Sequence, residues 1–202
     1  MITLKRFRRI ENAVIAAGYG DAITWSENVK PPQSARAFAD AAIFVICSSG
    51  MRAAVAEKIY DRCWYALRRG ESVRSVFGHP GKAAAIEHIW ANRKGLFRAY
   101  RAASDKLEFC AMLPWVGPIT KHHLVKNLGI DSAKSDVHLQ RLADVEGISA
   151  HELCARLARQ TSYRTSTVDT ILWRACAISI LNSGRYKREG WRAAHSLSKP
   201  LV

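Results

Sequence analysis

Apolar residues recur every three or four positions along most of the chain, which is the period of one face of an α-helix. The segment Met51–Arg69 shows this clearly, because Val55, Ile59, Trp64 and Leu67 fall on one stripe. The same pattern predicts further helices at residues 4–17, 34–48, 82–103, from 137 onward, and from 165 to just before Gly184. Strand patterns are scarce, so the sequence predicts an all-α protein with about ten helices.

Glycine and proline mark the expected breaks between these helices. Gly18 and Gly20 end the first helix, and the Pro31-Pro32 pair predicts a loop over residues 21–34. Gly70 is placed to cap the end of the Met51–Arg69 helix. Residues 185–202 are rich in basic side chains, and we expect them to form a loosely ordered basic tail.

The composition places the chain among folded proteins with a strong positive charge. Of 202 residues, 49% are hydrophobic, which is enough for a packed core and argues against intrinsic disorder. Lysine and arginine number 31 against 17 aspartate and glutamate, giving a formal net charge of +14. Such a charge favours a polyanion, and nucleic acid above all, because neutralising phosphates releases counterions. The alternative is a soluble domain that is merely basic.

Other features narrow the setting. No run of about 18 apolar residues occurs, so the sequence predicts no membrane span. The basic opening Met1–Arg9 lacks the apolar segment of a secretion signal. No Cys-x-x-Cys pair occurs, so the five cysteines do not indicate a zinc knuckle. They predict free buried thiols in a reducing cytoplasm, and we expect a cytoplasmic, nucleoid-associated protein.

The segment Phe109–Leu124 has a distinct pattern. The apolar end of one helix meets the turn Leu113-Pro-Trp-Val-Gly117, and Pro118 is a favoured first residue for a second helix. A helix-hairpin-helix of this kind presents backbone N–H groups and the positive end of a helix dipole. Those donors suit a DNA phosphate and read no base sequence. The hairpin residues therefore predict a DNA contact made by Leu113, Trp115, Gly117, Thr120 and Lys121.

Ten residues after Leu124 begins the segment Lys134–Leu142, in which Asp136 and His138 precede another helix. Leu-Pro-x-Val-Gly, a helix, a short loop and Asp-x-His together resemble the helix-hairpin-helix DNA glycosylase superfamily, over about 35 residues from Phe109 to Ala143. The resemblance implies a two-lobed helical fold that binds double-stranded DNA across a cleft between the lobes. It also implies that a damaged or modified base is flipped into that cleft.

The resemblance gives Asp136 the role of the catalytic aspartate. A carboxylate there would stabilise positive charge on the sugar as the base leaves, or orient a water molecule. The alternative is that Asp136 only caps the helix that starts at Val137. The two roles are compatible, because the aspartate of the superfamily also lies at a helix start.

Several positions depart from the superfamily pattern. Ile119 stands where bifunctional members carry a Schiff-base lysine, and Lys121 lies about 200° further round the helix. The chain therefore resembles the monofunctional branches, which use water. His122 and His123 lie one turn after Ile119, where one of them could face the pocket; the alternative is that both are polar surface residues.

Two further departures concern DNA contact. Trp115 stands where the hairpin usually has glycine, and a bulky residue there predicts a different turn, stacking on a sugar, or simple cover for the hairpin. No glutamine stands near Ser49 to fill the gap left by a flipped base. Ser49, Met51 or Arg52 could replace it, and a plain helix break is the alternative.

The resemblance also sets expectations for domains and cofactors. We expect one domain over residues 1–184, with a lobe of N- and C-terminal helices and a central lobe at about 50–135 that carries hairpin 113–117. We expect no iron–sulfur cluster and no other cofactor, with room for a monovalent cation at the hairpin, and a monomer. The expected activity is monofunctional DNA N-glycosylase, and the alternative is a glycosylase-fold protein that binds or modifies DNA without glycosylase activity.

Overall fold

The computed structural model describes residues 1–195, and this part of the chain contains helices and no β-strand. The prediction of an all-α protein is therefore confirmed. The twelve α-helices of residues 1–195 are α1 (Leu4–Val14), α2 (Gly20–Asn28), α3 (Ala35–Ser48), α4 (Ala53–Arg69), α5 (Pro80–Ala102), α6 (Lys106–Ala111), α7 (Thr120–Asn127), α8 (Val137–Asp144), α9 (Ala150–Thr161), α10 (Thr165–Ala177), α11 (Ser183–Glu189) and α12 (Trp191–Ala194). A π-helical turn (Ile15–Tyr19) and a 3₁₀ turn (Val73–Ser75) complete the set.

The helices form two compact units. The central unit is Lys30–Ile130, and the terminal unit combines Met1–Val29 with the described chain from Asp131 onward. The sequence placed the start of a central lobe near residue 50, whereas the contacts group α3 with α4 and α5. The reason is that the Ala-rich α3 buries several side chains against α5, its most extensive packing partner.

The core of the central unit is built on α3. Ser34 caps this helix by accepting a hydrogen bond from the Ala37 amide. The α3 side chains Phe38, Ile43 and Ile46 are fully buried in the core. At the end of α4, Gly70 adopts the left-handed conformation expected of a capping glycine. Other buried side chains of this core come from α4, α5, α6, α7 and the turns between them, and they include Cys63, Trp64, Ile86, Ile89 and Leu124.

The core of the terminal unit combines α1 with α8, α9 and α10. Ser149 and Glu152 form a capping box that starts α9. Fully buried side chains of this core include Phe7, Ile10, Leu139, Leu142, Leu153, Leu157, Val168 and Ile171. The five cysteines of the two cores are buried, and none of them forms a disulfide bond.

The structure corrects two predictions about loops. Residues 21–28 are helical, because Gly18 (φ 87°) lets the chain kink and α2 restart, burying Ile23. Residues 185–195 form α11 and α12 instead of a loose tail, because Tyr186 is buried and Arg6 lies over the Trp191 ring. Residues 196–202 of the predicted tail lie outside the described residues.

Two side chains differ in burial from what their residue types favour. Half of Trp25 is exposed, whereas Trp64 is buried and Trp90 and Trp173 are partly buried. Asp169 is buried in α10. None of the helices in residues 1–195 has the length and apolar character needed to cross a membrane.

Candidate functional site

The helix-hairpin-helix predicted from the sequence is formed by α6, the turn 112–119 and α7. Asp105 starts α6, because its Oδ1 accepts hydrogen bonds from the Leu107 and Glu108 amides at 2.8 and 3.0 Å. The sequence predicted that the second helix starts at Pro118, but it starts at Thr120. Residues 118 and 119 instead extend the turn by two residues.

Buried apolar side chains fix the turn to the central unit. Leu113 and Val116 both lie in its core, and the Val116 amide donates to the Leu113 carbonyl at 3.1 Å. The Leu113 amide donates to the Cys110 carbonyl at 3.2 Å. Leu113 was predicted to contact DNA, but its side chain is buried and its main-chain groups are paired. Its role in this geometry is therefore to hold the turn in place.

Gly117 is also engaged within the turn. Its amide donates to Thr120 Oγ1 at 2.6 Å, and its carbonyl accepts from the Lys121 amide at 3.0 Å. The Gly117 amide was expected to be a free phosphate donor, but Thr120 occupies it. Gly117 does not adopt a left-handed conformation, and a Cβ there would meet only Thr120 Oγ1, at 3.8 Å.

Trp115 is the left-handed residue of the hairpin, with φ 66°. A different turn was one expectation for a bulky residue here; instead the tryptophan itself adopts the conformation that usually favours glycine. Its ring is 45% exposed and meets His79 edge to face, with 4.8 Å between ring centroids. A Cβ on Gly81 would lie 2.6 Å from Trp115 Cζ3, so the indole lies directly on that glycine.

Three backbone amides in and after the turn keep their N–H groups free. Within residues 1–195, the amides of Trp115, Ile119 and Thr120 donate no hydrogen bond. Ile119 and Thr120 lie at the start of α7, where the helix dipole also favours negative charge. The free amide donors therefore belong to residues before and after Gly117, and not to Gly117 itself as the sequence predicted.

The polar side chains at the start of α7 have partners in the central unit. Lys121 Nζ forms an ion pair with Glu108 Oε1 at 2.7 Å, which offsets the charge expected to contact phosphate. His123 packs edge to face against Phe44, with ring centroids 6.1 Å apart, so it faces α3. His122 is partly buried, and the exposed Ile119 offers no amine at the position of the Schiff-base lysine.

Asp136 starts α8 in the terminal unit. Its Oδ1 accepts hydrogen bonds from the His138 and Leu139 amides at 2.9 and 3.0 Å, which confirms the capping role. The residue is partly exposed, and no group in residues 1–195 hydrogen-bonds its Oδ2. Backbone amides therefore hold Oδ1 in place, whereas Oδ2 remains available to accept hydrogen bonds.

A histidine–serine contact and a buried thiol lie near Asp136. His138 Nδ1 lies 2.9 Å from Ser183 Oγ, which joins the first turns of α8 and α11. Burial, and after it the negative charge of Asp136, raises the pKa of the Cys176 thiol to about 12. Cys176 therefore stays protonated at neutral pH and offers no thiolate nucleophile.

Ser49 belongs to the end of α3, where its Oγ donates to the Ile46 carbonyl at 3.0 Å. Its own carbonyl accepts a hydrogen bond from Lys82 Nζ, and Lys82 is only 4% exposed. Burial lowers the pKa of Lys82. No pattern in the sequence indicated a role for this lysine, which occupies the first turn of α5, where a solvated side chain is usual.

The candidate residues are thus divided between the units. Asp136 belongs to the terminal unit, whereas the hairpin, the two histidines and Ser49 belong to the central unit. The sequence missed His79 and Gly81, which hold Trp115; the motif Gly78-His-Pro-Gly81 was the only signal, and it indicated a turn. Within residues 1–195, no three His, Cys, Asp or Glu side chains are grouped to hold a metal ion. Comparison with protein-family models, curated protein sequences and solved structures finds no match.

Proposed function

We propose that this protein binds double-stranded DNA and hydrolyses the N-glycosidic bond of a damaged or modified nucleotide, with Asp136 as the catalytic carboxylate. The observation that carries the proposal is the state of that carboxylate. Two backbone amides hold Oδ1 rigidly, and Oδ2 is left without a partner in residues 1–195 on a partly exposed side chain. A fixed charge with one free oxygen suits a cationic sugar in the transition state.

The charge distribution supports DNA as the partner. The central unit contains 16 lysine and arginine residues against 7 aspartate and glutamate residues, so it holds most of the excess positive charge. The amides of Trp115, Ile119 and Thr120 add uncharged donors at the hairpin. Together these groups suit a phosphate backbone, with the amides fixing its position and the side chains supplying charge.

The proposed reaction needs only water and the flipped nucleotide. The bond between C1′ and the base breaks, and the base leaves with the electron pair. Asp136 stabilises the positive charge on the sugar and orients the water whose oxygen then bonds to C1′. The proton released by that water ends on the base. Ile119 supplies no amine at the Schiff-base position and Cys176 supplies no thiolate, so the proposed reaction uses water and forms no covalent intermediate.

The direct experiment is a panel of duplexes, each containing one damaged or modified base. We expect free base to appear from one class of lesion, while the strand stays intact until alkali breaks it. Borohydride should trap no protein–DNA adduct, because no Schiff base forms. Strand cleavage without alkali, or an efficient trapped adduct, would show that an amine reaches the sugar and would contradict the monofunctional mechanism.

A second candidate is a protein of this fold that binds DNA, or modifies a flipped base, without releasing it. The observation that favours it is the structural task that Asp136 already performs as the cap of α8. Tight binding to modified duplexes with no base released from any of them would support this candidate and exclude the first.

A further inference from the structure

Trp115 adopts a backbone conformation that destabilises the folded chain. Its φ of 66° lies in the left-handed region, which costs a bulky residue free energy that a glycine would not lose. The residue keeps 45% of its surface exposed, which leaves part of the indole available to a partner. A strained residue with a half-exposed aromatic ring indicates a use outside the core.

The ring is also held in one orientation. Its six-membered ring lies against Gly81, where any Cβ would come within 2.6 Å of Cζ3, and the His79 ring lies 4.8 Å away between centroids in a T-shaped arrangement. These contacts join the hairpin to the start of α5. An aromatic ring braced in this way loses little conformational freedom when it binds a flat partner.

The neighbours of Trp115 in the hairpin define the chemistry of that partner. Met112 is 75% exposed and Ile119 is 50% exposed, so the hairpin tip presents apolar side chains. The free amides of Trp115, Ile119 and Thr120 belong to the same turn and suit an anion. The excess of basic residues in the central unit favours a polyanion over a neutral apolar surface. A partner with flat apolar faces and regular phosphates is a nucleic acid with an unstacked base.

We propose that Trp115 stacks on an unpaired nucleobase of DNA, at the gap that a displaced nucleotide leaves, while the adjoining amides hold the neighbouring phosphate. Met112 and Ile119 extend the apolar surface around the stack. The proposal rests on the DNA binding of the proposed function and is independent of chemistry at Asp136. It assigns the gap-filling role to the hairpin, because the Ser49 hydroxyl and carbonyl are already engaged at the end of α3.

The test compares two labelled duplexes of one sequence. One is fully paired, and the other contains an abasic-site analogue opposite an unpaired adenine. We expect the wild-type chain to bind the second roughly ten- to hundredfold more tightly. Trp115→Gly should abolish that preference and keep the salt dependence, since the amides remain. Trp115→Phe should keep most of the preference.

Two further variants separate stacking from folding. Trp115→Gly suits a positive φ, so thermal melting should show a folded protein. Gly81→Ala leaves Trp115 in the sequence but forces its ring to move, and it should reduce the preference as well. Trp25→Ala removes a similarly exposed tryptophan from the terminal unit and should change nothing.

The proposal is overturned if the wild-type chain binds both duplexes equally, or if folded Trp115→Gly keeps the full preference. Binding of the wild-type chain to anionic vesicles, with none to either duplex, would assign the tip to a membrane and also overturn it. If the wild-type chain releases no base from any modified duplex, only the proposed hydrolysis is contradicted. The stacking proposal is unaffected, because the binding preference is measured without catalysis.

Discussion

Two helices of this protein start in the same way and in different surroundings. Asp105 begins α6 in the central unit and Asp136 begins α8 in the terminal unit, each with Oδ1 accepting from two following amides at 2.8 to 3.0 Å. Asp105 is exposed, whereas Asp136 is partly buried beside the protonated Cys176 thiol. The local geometry of a cap therefore does not decide whether a carboxylate can do chemistry; its surroundings do.

The largest difference between the two aspartates should appear in catalysis. Asparagine caps a helix about as well as aspartate but brings no charge. On a duplex whose base is released, Asp136→Asn should slow single-turnover base release by about a hundredfold or more. Asp105→Asn should leave the rate unchanged. A full rate in Asp136→Asn would reduce Asp136 to a structural cap.

In folding, the two aspartates should behave alike. Alanine removes the cap, so Asp105→Ala and Asp136→Ala should each lower the free energy of unfolding by about 0.5–2 kcal/mol. Denaturant titration measures both. A clear gain in stability on losing Asp136 would sharpen the comparison, because it would show that its charge is held in place at a net cost to folding.

The buried thiols extend the comparison to pH. Burial raises the pKa of Cys110 to about 12, and burial with the Asp136 charge raises that of Cys176 to about 12. Both folded values exceed the ordinary 9.0, so above pH 9 the unfolded chain loses these protons first. Each thiol should therefore reduce stability as pH rises from 9 to 12, by up to about 1.4 kcal/mol per pH unit.

Replacing either thiol should remove its share of this decline. Cys110→Ala and Cys176→Ala should each flatten the pH profile of unfolding above pH 9. Asp136→Asn should lessen the contribution of Cys176 and leave that of Cys110 alone. Equal slopes in all these variants and the wild-type chain would show that the thiols ionise freely in the folded protein.

The smallest effect concerns Lys121. Because Glu108 already offsets its charge, Lys121→Ala should lower the salt slope of DNA binding by less than the one unit expected for a full phosphate contact. Glu108→Gln frees the same lysine and should steepen the slope. Binding measured over a range of salt concentrations tests both variants, and a full unit lost in Lys121→Ala would mean that the ion pair opens on DNA.

The sequence predicted the features of this fold that depend on neighbours along the chain. Ser34, Gly70 and the Ser149 capping box all lie where their motifs indicated, because a cap is made within a few residues. The capping by Asp136 is of the same kind. Helix α2 was missed because it buries little apolar surface, so its periodic pattern is weak.

The features that the sequence missed depend on distant segments. The burial of Lys82 depends on where α3 ends, and the position of Trp115 depends on a glycine 34 residues earlier. The hairpin motif indicated a glycine as the special residue, but the left-handed conformation belongs to Trp115. No local pattern encodes these contacts, because helix packing creates them.

The most direct test of the account uses a charged mimic of the transition state and needs no knowledge of the base. Binding is compared on two duplexes, one with a neutral abasic analogue and one whose abasic analogue carries a protonated ring nitrogen. The account predicts that the wild-type chain and Asp105→Asn bind the cationic analogue at least about tenfold more tightly, and that Asp136→Asn loses this preference. Equal affinity of the wild-type chain for both duplexes, or an undiminished preference in Asp136→Asn, would contradict a catalytic Asp136.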